Sequence, residues 1–388
     1  MKSVIHIAVQ IELGRAHGRA LLEGFSSVAA RHSEWRPKLV SAESLLKKSV
    51  LDTFDAFVVR IMDDRLAALL RATGKPVIDL YGRSSRSFDA AHFQVVNIDD
   101  RQVVQAAVKC FLEHDFTNLG YCGFPGLRFS DERGRLFVRS LAEQGFSVNV
   151  YSGNTGITDS FFRHEKVASV PDLKSLKKWL KSFRGRSAAV FCCNDLRALQ
   201  VSLAAEALGL SIPSDLALLG VDNDTAICTF STPPLSSIDT DSEAIGRLAA
   251  NKLAKMLDPE LDLDFDLNLN LHVVERASTD FYPSSVPWLS EAIVFIQHHL
   301  ADGVNANEVF RHLKFSHTYV EKVFRREFGR SVGEEIQARR LALARRLLKE
   351  KRYTSARIAA MTGFSSPQYF CRAFKAAIGH TPAGYREN

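Results

Sequence analysis

"GFSSPQYFCRAFKAAIGHTPAGYR" (residues 363–386) repeats, fifty positions downstream, the pattern of "SHTYVEKVFRREFGRSVGEEI" (residues 316–336). Ser316, Tyr319, Phe324 and Gly329 match Ser366, Tyr369, Phe374 and Gly379. Val320, Lys322, Arg325, Phe328 and Ser331 face Phe370, Arg372, Lys375, Ile378 and Thr381. In the first copy Val320, Val323, Phe324 and Phe328 recur at helical spacing and form one apolar face, leaving Thr318, Glu321, Lys322 and Arg325 opposite. In the second, Phe370, Ala373, Phe374 and Ile378 take the inner positions, with Gln368, Cys371, Arg372 and Lys375 outward. A short apolar helix precedes each, "NANEVFRHL" (305–313) or "SARIAAMTG" (355–363), followed by a tight turn. Helix, turn and polar-faced second helix is the helix-turn-helix plan, predicted here at 305–328 and 355–378. The second helix of such a unit enters the major groove, where Arg, Lys and Gln reach base edges.

Charge agrees with a polyanion partner. Residues 285–388 hold 17 Lys and Arg against 9 Asp and Glu, whereas the remaining residues hold 33 against 35. The excess positive charge of the chain, +6 overall, therefore lies in its last quarter. Between the copies, "EEIQARRLALARRLLKE" (334–350) reads as a helical rod of about 25 Å. Its Arg339, Arg340, Arg345 and Arg346 suit either phosphates or plain solvent.

Upstream the rhythm changes. Short apolar runs at 4–10, 55–61, 76–81, 93–98, 118–124, 188–194 and 216–222 read as strands. Amphipathic stretches such as 16–32, 101–115 and 195–209 lie between them. Alternation of this kind predicts parallel sheets covered by helices, and the number of strands fits a two-lobed α/β domain over 1–280. A Pro- and Ser-bearing linker is expected at 281–288, then an all-α domain at 289–388. Ligands of two-lobed α/β folds sit at the carboxyl ends of the strands, between the lobes.

Three polar residues stand at such ends or near them. Asp222 follows the strand in "LALLGVDND", Asn194 follows the strand in "FCCND", and Arg133 lies in "SDERGRLFVRSL". Carboxylates, amides and a guanidinium fork are what vicinal sugar hydroxyls require. The alternative use of Asp and Asn here is helix capping, the reading preferred for Asp195 and Asp224. In the first lobe, Asp63, Asp79 and Arg19 are further candidates, and Phe161 or Phe162 could stack on a sugar ring.

These residues carry two family resemblances. Residues 289–386 resemble the C-terminal DNA-binding domain of the AraC family, most closely over "IAAMTGFSSPQYFCRAFKAAIGHTPAGYR" (358–386). That likeness implies groove-facing positions at Thr318, Glu321 and Lys322 in the first copy, and at Gln368 and Arg372 in the second. His317 either touches a phosphate or caps its helix together with Ser316. Lys314 and Phe315 depart from the family at the first turn, where a small residue or Gly is commoner. The body resembles the LacI/GalR regulators and, through them, the type I periplasmic sugar-binding proteins, whose effector-contacting Arg, Asn and Asp fall at Arg133, Asn194 and Asp222. A sugar-binding body followed by a double helix-turn-helix resembles the xylose operon regulators, most closely over "GVDND" (220–224), "STPPLSSID" (231–239) and "VVERASTD" (273–280). This implies a cytoplasmic, dimeric activator with D-xylose as effector, promoter DNA as target and RNA polymerase as a partner. The same class answering to another sugar, or to a sugar phosphate, is the main rival.

Other classes fit less well. There is no GxxxxGK[ST] or HExxH spacing, and neither a nucleophile elbow, a metal nor a cofactor is expected, so an enzyme is not the reading. The first apolar run stops at Glu12, too soon for a cleavable leader, and six cysteines without a CxxC pair are expected to be reduced.

Overall fold

In this computed structural model the described residues are 4–82, 92–114, 116–153, 170, 172–183, 187–261, 269–280, 286–349 and 353–387. The chain divides into two compact units, Met1–Asp280 and Phe281–Asn388.

The first unit contains two sheets. One lobe opens with β1 (Ile5–Gln10), α1 (Ala16–Ala29), β2 (Trp35–Leu39), α2 (Ala42–Leu45) and α3 (Lys48–Leu51). It continues through β3 (Ala56–Val59), α4 (Asp64–Ala72), β4 (Val77–Asp79) and β5 (Phe93–Val95). Its strands are all parallel, in the order β2-β1-β3-β4-β5. The second lobe follows with α5 (Asp100–Glu113), β6 (Leu119–Cys122), α6 (Arg128–Ala142), β7 (Val148–Val150), α7 (Leu173–Leu180), β8 (Ala188–Cys192) and α8 (Asp195–Glu206). After these come β9 (Leu216–Val221), α9 (Thr225–Phe230), β10 (Ser236–Asp239), α10 (Ser242–Leu257) and β11 (His272–Val274). Here the order is β11-β10-β9-β8-β6-β7, with β11 the antiparallel edge.

All seven expected strands are present, because buried parallel strands read as unbroken apolar runs. The strands β3, β8 and β9 are buried along their whole length.

The chain crosses between lobes more than once. Although α10 follows a strand of the second sheet, its Ile245, Ala249, Ala250 and Leu253 pack with Ile7, Val9, Leu21 and Phe25 in the first lobe's core. The α1–α10 contact is close enough to exclude side chains at two positions. A Cβ on Gly24 would lie 1.9 Å from the Glu243 carbonyl oxygen, and one on Gly246 would lie 2.1 Å from that of Leu21. Glycine is needed on both helices for them to approach this far.

Unit two is entirely helical among its described residues. It comprises α11 (Pro287–His298), α12 (Ala306–Leu313), α13 (His317–Phe328), α14 (Val332–Lys349), α15 (Ser355–Met361), α16 (Pro367–Ile378) and α17 (Pro382–Glu387). The last two residues of the expected linker, Pro287 and Trp288, already belong to α11, with Pro at the first helical position where its missing N–H costs nothing. Two small cores result. One gathers Leu289, Ile296, Val309, Val320, Phe324 and Ile336; the other gathers Leu341, Leu348, Ile358, Phe364, Phe370 and Phe374. Because α14 contributes to both, it fixes the spacing of the two copies. No described helix is long and apolar enough to cross a membrane.

Candidate functional site

The end of β9 is backbone-strained. Asp222 has φ 100° and Asn223 φ 46°, both in the region that side chains disfavour. Surrounding bonds hold the turn: the Asn223 N–H donates to Ser237 Oγ (3.0 Å), its amide to Asp239 (2.9 Å), and Arg276 donates to its Oδ1 (2.7 Å). The Asp224 N–H donates to Asp195 Oδ2 (2.7 Å). Strain that the surroundings over-determine in this way is typical of functional turns.

Charges from both lobes act on Asp222. Burial lifts its carboxyl to about 6, opposed by the guanidinium groups of Arg133, Arg15 and Arg60. Arg133, 4 % exposed, donates from Nε to Asp100 (2.7 Å) and from Nη1 to the Cys193 carbonyl (2.6 Å). Its burial is more than offset by Asp100 and Asp222, so it stays firmly charged. From the first lobe, Arg60 at the end of β3 pairs with Glu12 beyond β1 at 2.6 Å. Burial and the guanidinium groups of Arg60, Arg133 and Arg15 hold the His17 imidazole at about 3, so it is neutral at physiological pH. The buried Gln10 Oε1, Glu12 Oε1 and Arg60 Nε make no protein hydrogen bond. Orphaned buried polar atoms at the adjacent carboxyl ends of β1 and β3 are what a polyol would satisfy.

The other candidates are placed as follows. Asn194 is the N-cap of α8, its side-chain oxygen accepting from the Arg197 N–H at 2.9 Å. Asp195, read as a cap, is instead a buried acceptor for Ser237 Oγ (2.5 Å) and the Asp224 N–H, and burial beside Asp222 raises its carboxyl to about 8. Asp224 caps α9 through the Ala226 N–H at 3.2 Å. Asp63 is the N-cap of α4, accepting from Leu66 at 2.7 Å, and the fully buried Asp79 accepts from the Tyr81 N–H at 2.8 Å. Both carboxylates are therefore engaged in structural bonds, which the sequence reading left open. Arg19 is exposed and donates to the Leu13 carbonyl. Phe161 and Phe162 lie outside the described residues.

Sequence reasoning missed Glu12, Arg15 and Arg60. They sit in connections with no motif, and the signal available was a charged residue directly after a buried strand.

In the helical unit, His317, Thr318, Lys322, Gln368 and Arg372 are exposed on α13 and α16. Glu321 is half-buried, and its Oε2 is buried with no hydrogen-bond partner. Ser366 caps α16 by accepting from the Tyr369 N–H at 3.1 Å, whereas Ser316 makes no side-chain cap to α13. Two arginines considered for phosphate are instead structural. Arg339 and Arg330 both bond the fully buried Glu335, at 2.6 and 2.5 Å, and Arg340 donates to the Val304 carbonyl at 2.9 Å. The pentapeptide GRSVG (329–333) matches a nucleophile elbow by spacing, against expectation. It joins two helices instead of a strand and a helix, and Ser331 Oγ bonds Glu334 at 2.8 Å as the start of α14.

Comparison with known proteins gives the same partition. Residues 108–279 match the periplasmic binding protein-like domain, and residues 309–388 match a helix-turn-helix domain. The xylose operon regulatory protein of Escherichia coli (strain K12) is 26% identical, the alignment covering 98% of this chain and 96% of that protein. Its counterpart in Haemophilus influenzae is 23% identical, with 98% of each chain covered. A solved structure described as the xylose-binding transcription activator xylR covers 100% of this chain and 98% of its own, at 24% identity and a TM-score of 0.72. With a periplasmic binding protein-like domain followed by a helix-turn-helix domain, and similarity over its whole length to the xylose operon regulatory proteins, the chain is a DNA-binding transcription regulator of the sugar-responsive kind.

Proposed function

We propose that the chain is a D-xylose-responsive activator of pentose catabolic genes, acting in the cytoplasm as a homodimer and engaging RNA polymerase at its promoter. The observation that carries this reading is the charged cluster around the strained Asp222, to which Arg15, Arg60 and Glu12 contribute from one lobe and Arg133 from the other. Whole-length similarity to proteins named as xylose operon regulators supports the choice of sugar.

The charge balance favours a neutral polyol over a sugar phosphate. Glu12 neutralises Arg60, Asp100 neutralises Arg133, and Arg15 faces Asp222 and Asp224. A phosphate would meet these carboxylates as well as the guanidinium groups. A sugar that binds both sets of groups stabilises the arrangement in which they approach, by its differential affinity for that state. Closure in a dimer then alters how two reading heads are presented to paired half-sites.

The test is a thermal-shift and calorimetric screen against pentoses, hexoses and their phosphates, repeated with promoter DNA. D-xylose should raise the melting temperature and change DNA affinity, and Asp222→Ala should abolish the sugar response while leaving DNA binding measurable. Ionised Asp222 is the acceptor, so affinity should fall as pH drops through about 6. A protein indifferent to every sugar offered would sink this reading.

A further inference from the structure

The N-terminus of α1 lacks a cap of its own. Its N-cap residue is Arg15, which makes no side-chain cap bond, and its first turn carries no acidic residue. Four backbone N–H groups at such an end need partners, and the helix dipole places partial positive charge there. One partner comes from the other lobe: the Ala16 N–H donates to Asp224 Oδ2 at 3.2 Å, across 208 residues of sequence. The other oxygen of the same carboxylate caps α9 through Ala226. Asp224 is buried, and its own N–H is anchored on Asp195. Close by, His17 Nδ1 meets Ser242 Oγ at 2.6 Å, which ties the start of α1 to the start of α10.

One carboxylate thus serves two helix N-termini, one in each lobe, immediately beside the cluster around Asp222. We propose that Asp224 is a positioning residue, a clasp that stabilises the closed arrangement of the lobes and so sets effector affinity without itself being an effector ligand. The inference rests on the cleft being the sugar site. The bond can form only when the lobes approach, so it adds its free energy to the closed state alone. Removing it lowers the fraction of molecules competent to bind, and apparent affinity falls in proportion.

The discriminating variant is Asp224→Ser. A serine still caps α9, since Ser is a good N-cap residue, but is too short to hold Ala16 as well. Hydrogen exchange of the full-length protein, read on peptides covering residues 11–20 and 225–230, should show faster exchange only in the first. D-xylose affinity measured by calorimetry should weaken roughly tenfold, equivalent to about 1.4 kcal/mol. Asp224→Asn, which keeps one carbonyl oxygen, should fall between the variant and the parent, and it serves as readout should the serine protein fold poorly. Unchanged exchange at residues 11–20, or unchanged sugar affinity alongside faster exchange, overturns the clasp. If the parent protein binds no sugar at all, the reading of the cleft fails and the clasp is judged on exchange alone: faster exchange at 11–20 supports it and unchanged exchange overturns it.

Discussion

The two helix-turn-helix copies share a spacing but solve their turns differently. In the second, Gly363 has φ 71°, and an added Cβ would lie 1.8 Å from the Leu300 carbonyl oxygen. In the first, the corresponding residue is Lys314, with φ 57°. The left-handed turn is thus required by the architecture, not by the residue: where the backbone of Leu300 and Gly303, in the turn after α11, crowds the position only glycine fits, and an exposed lysine bears the strain in the other copy. Phe315 and Tyr319 beside that lysine are 44% and 45% exposed and pack with Trp288. The first copy therefore exposes the Phe315 ring at its turn, where the second buries Phe364 and follows it with Ser365. Likeness of sequence locates both readers, while their differences determine how firmly each is held.

Six substitutions break or sharpen this contrast. Gly363→Ala should have the largest effect, about 3 kcal/mol or more of destabilisation of the second copy, because it adds a backbone clash to a disfavoured φ. Thermal unfolding and loss of binding at one half-site would register it. Next, Arg372→Ala should cost about 1–3 kcal/mol at the cognate site if it reads a base, against a sequence-independent loss for a phosphate contact. Lys322→Ala, at the matching position of α13, gives the same measurement for the first copy, and titration at several salt concentrations separates the two roles. Ser366→Ala should cost about 1 kcal/mol through loss of the Tyr369 cap. Ser316→Ala, which removes no such bond, should be close to neutral, and equal losses at both serines would contradict the difference described. Lys314→Gly should be the smallest change, a gain of less than about 1 kcal/mol as strain is relieved against added freedom in the unfolded chain. Its Tm should rise slightly or hold.

Much of this was legible in the sequence, and the exceptions have physical causes. The apolar runs disclosed β1, β3, β4, β5, β6, β8 and β9, since a strand buried on both faces leaves a continuous signature. Strand β2, WRPKL, was missed because it is an edge strand with four of its five residues exposed and a proline among them. Strand β10, SSID, was missed because Ser236 and Ser237 are polar. They are wholly buried nonetheless, and their hydroxyls bond Thr279 and Asp195. In the site, Arg133 and Asp222 were singled out by their polar chemistry at or near strand ends, with the family resemblance pointing to the same positions, and the structure brings their charges together. Arg15, Arg60 and Glu12 were not, because a charged residue after a strand looks the same whether it faces solvent or a cleft. The cap expected of Asp195 is supplied by Asn194, the residue whose backbone is extended, while Asp195 accepts from Ser237 and the Asp224 N–H. Adjacent Asn and Asp cannot be told apart on composition.

The return of α10 to the first lobe bears on how the protein is made. Phe25 and Val9 leave the ribosome early, yet the Ala249 and Leu253 that seal them follow more than 200 residues later. Until that helix has been synthesised, the core between α1 and the first sheet stays only partly covered, and pairings so distant in the chain are slow to form. The nascent amino-terminal half is then a client for chaperones, and a polypeptide released before residue 242 should aggregate instead of yielding half a sensor.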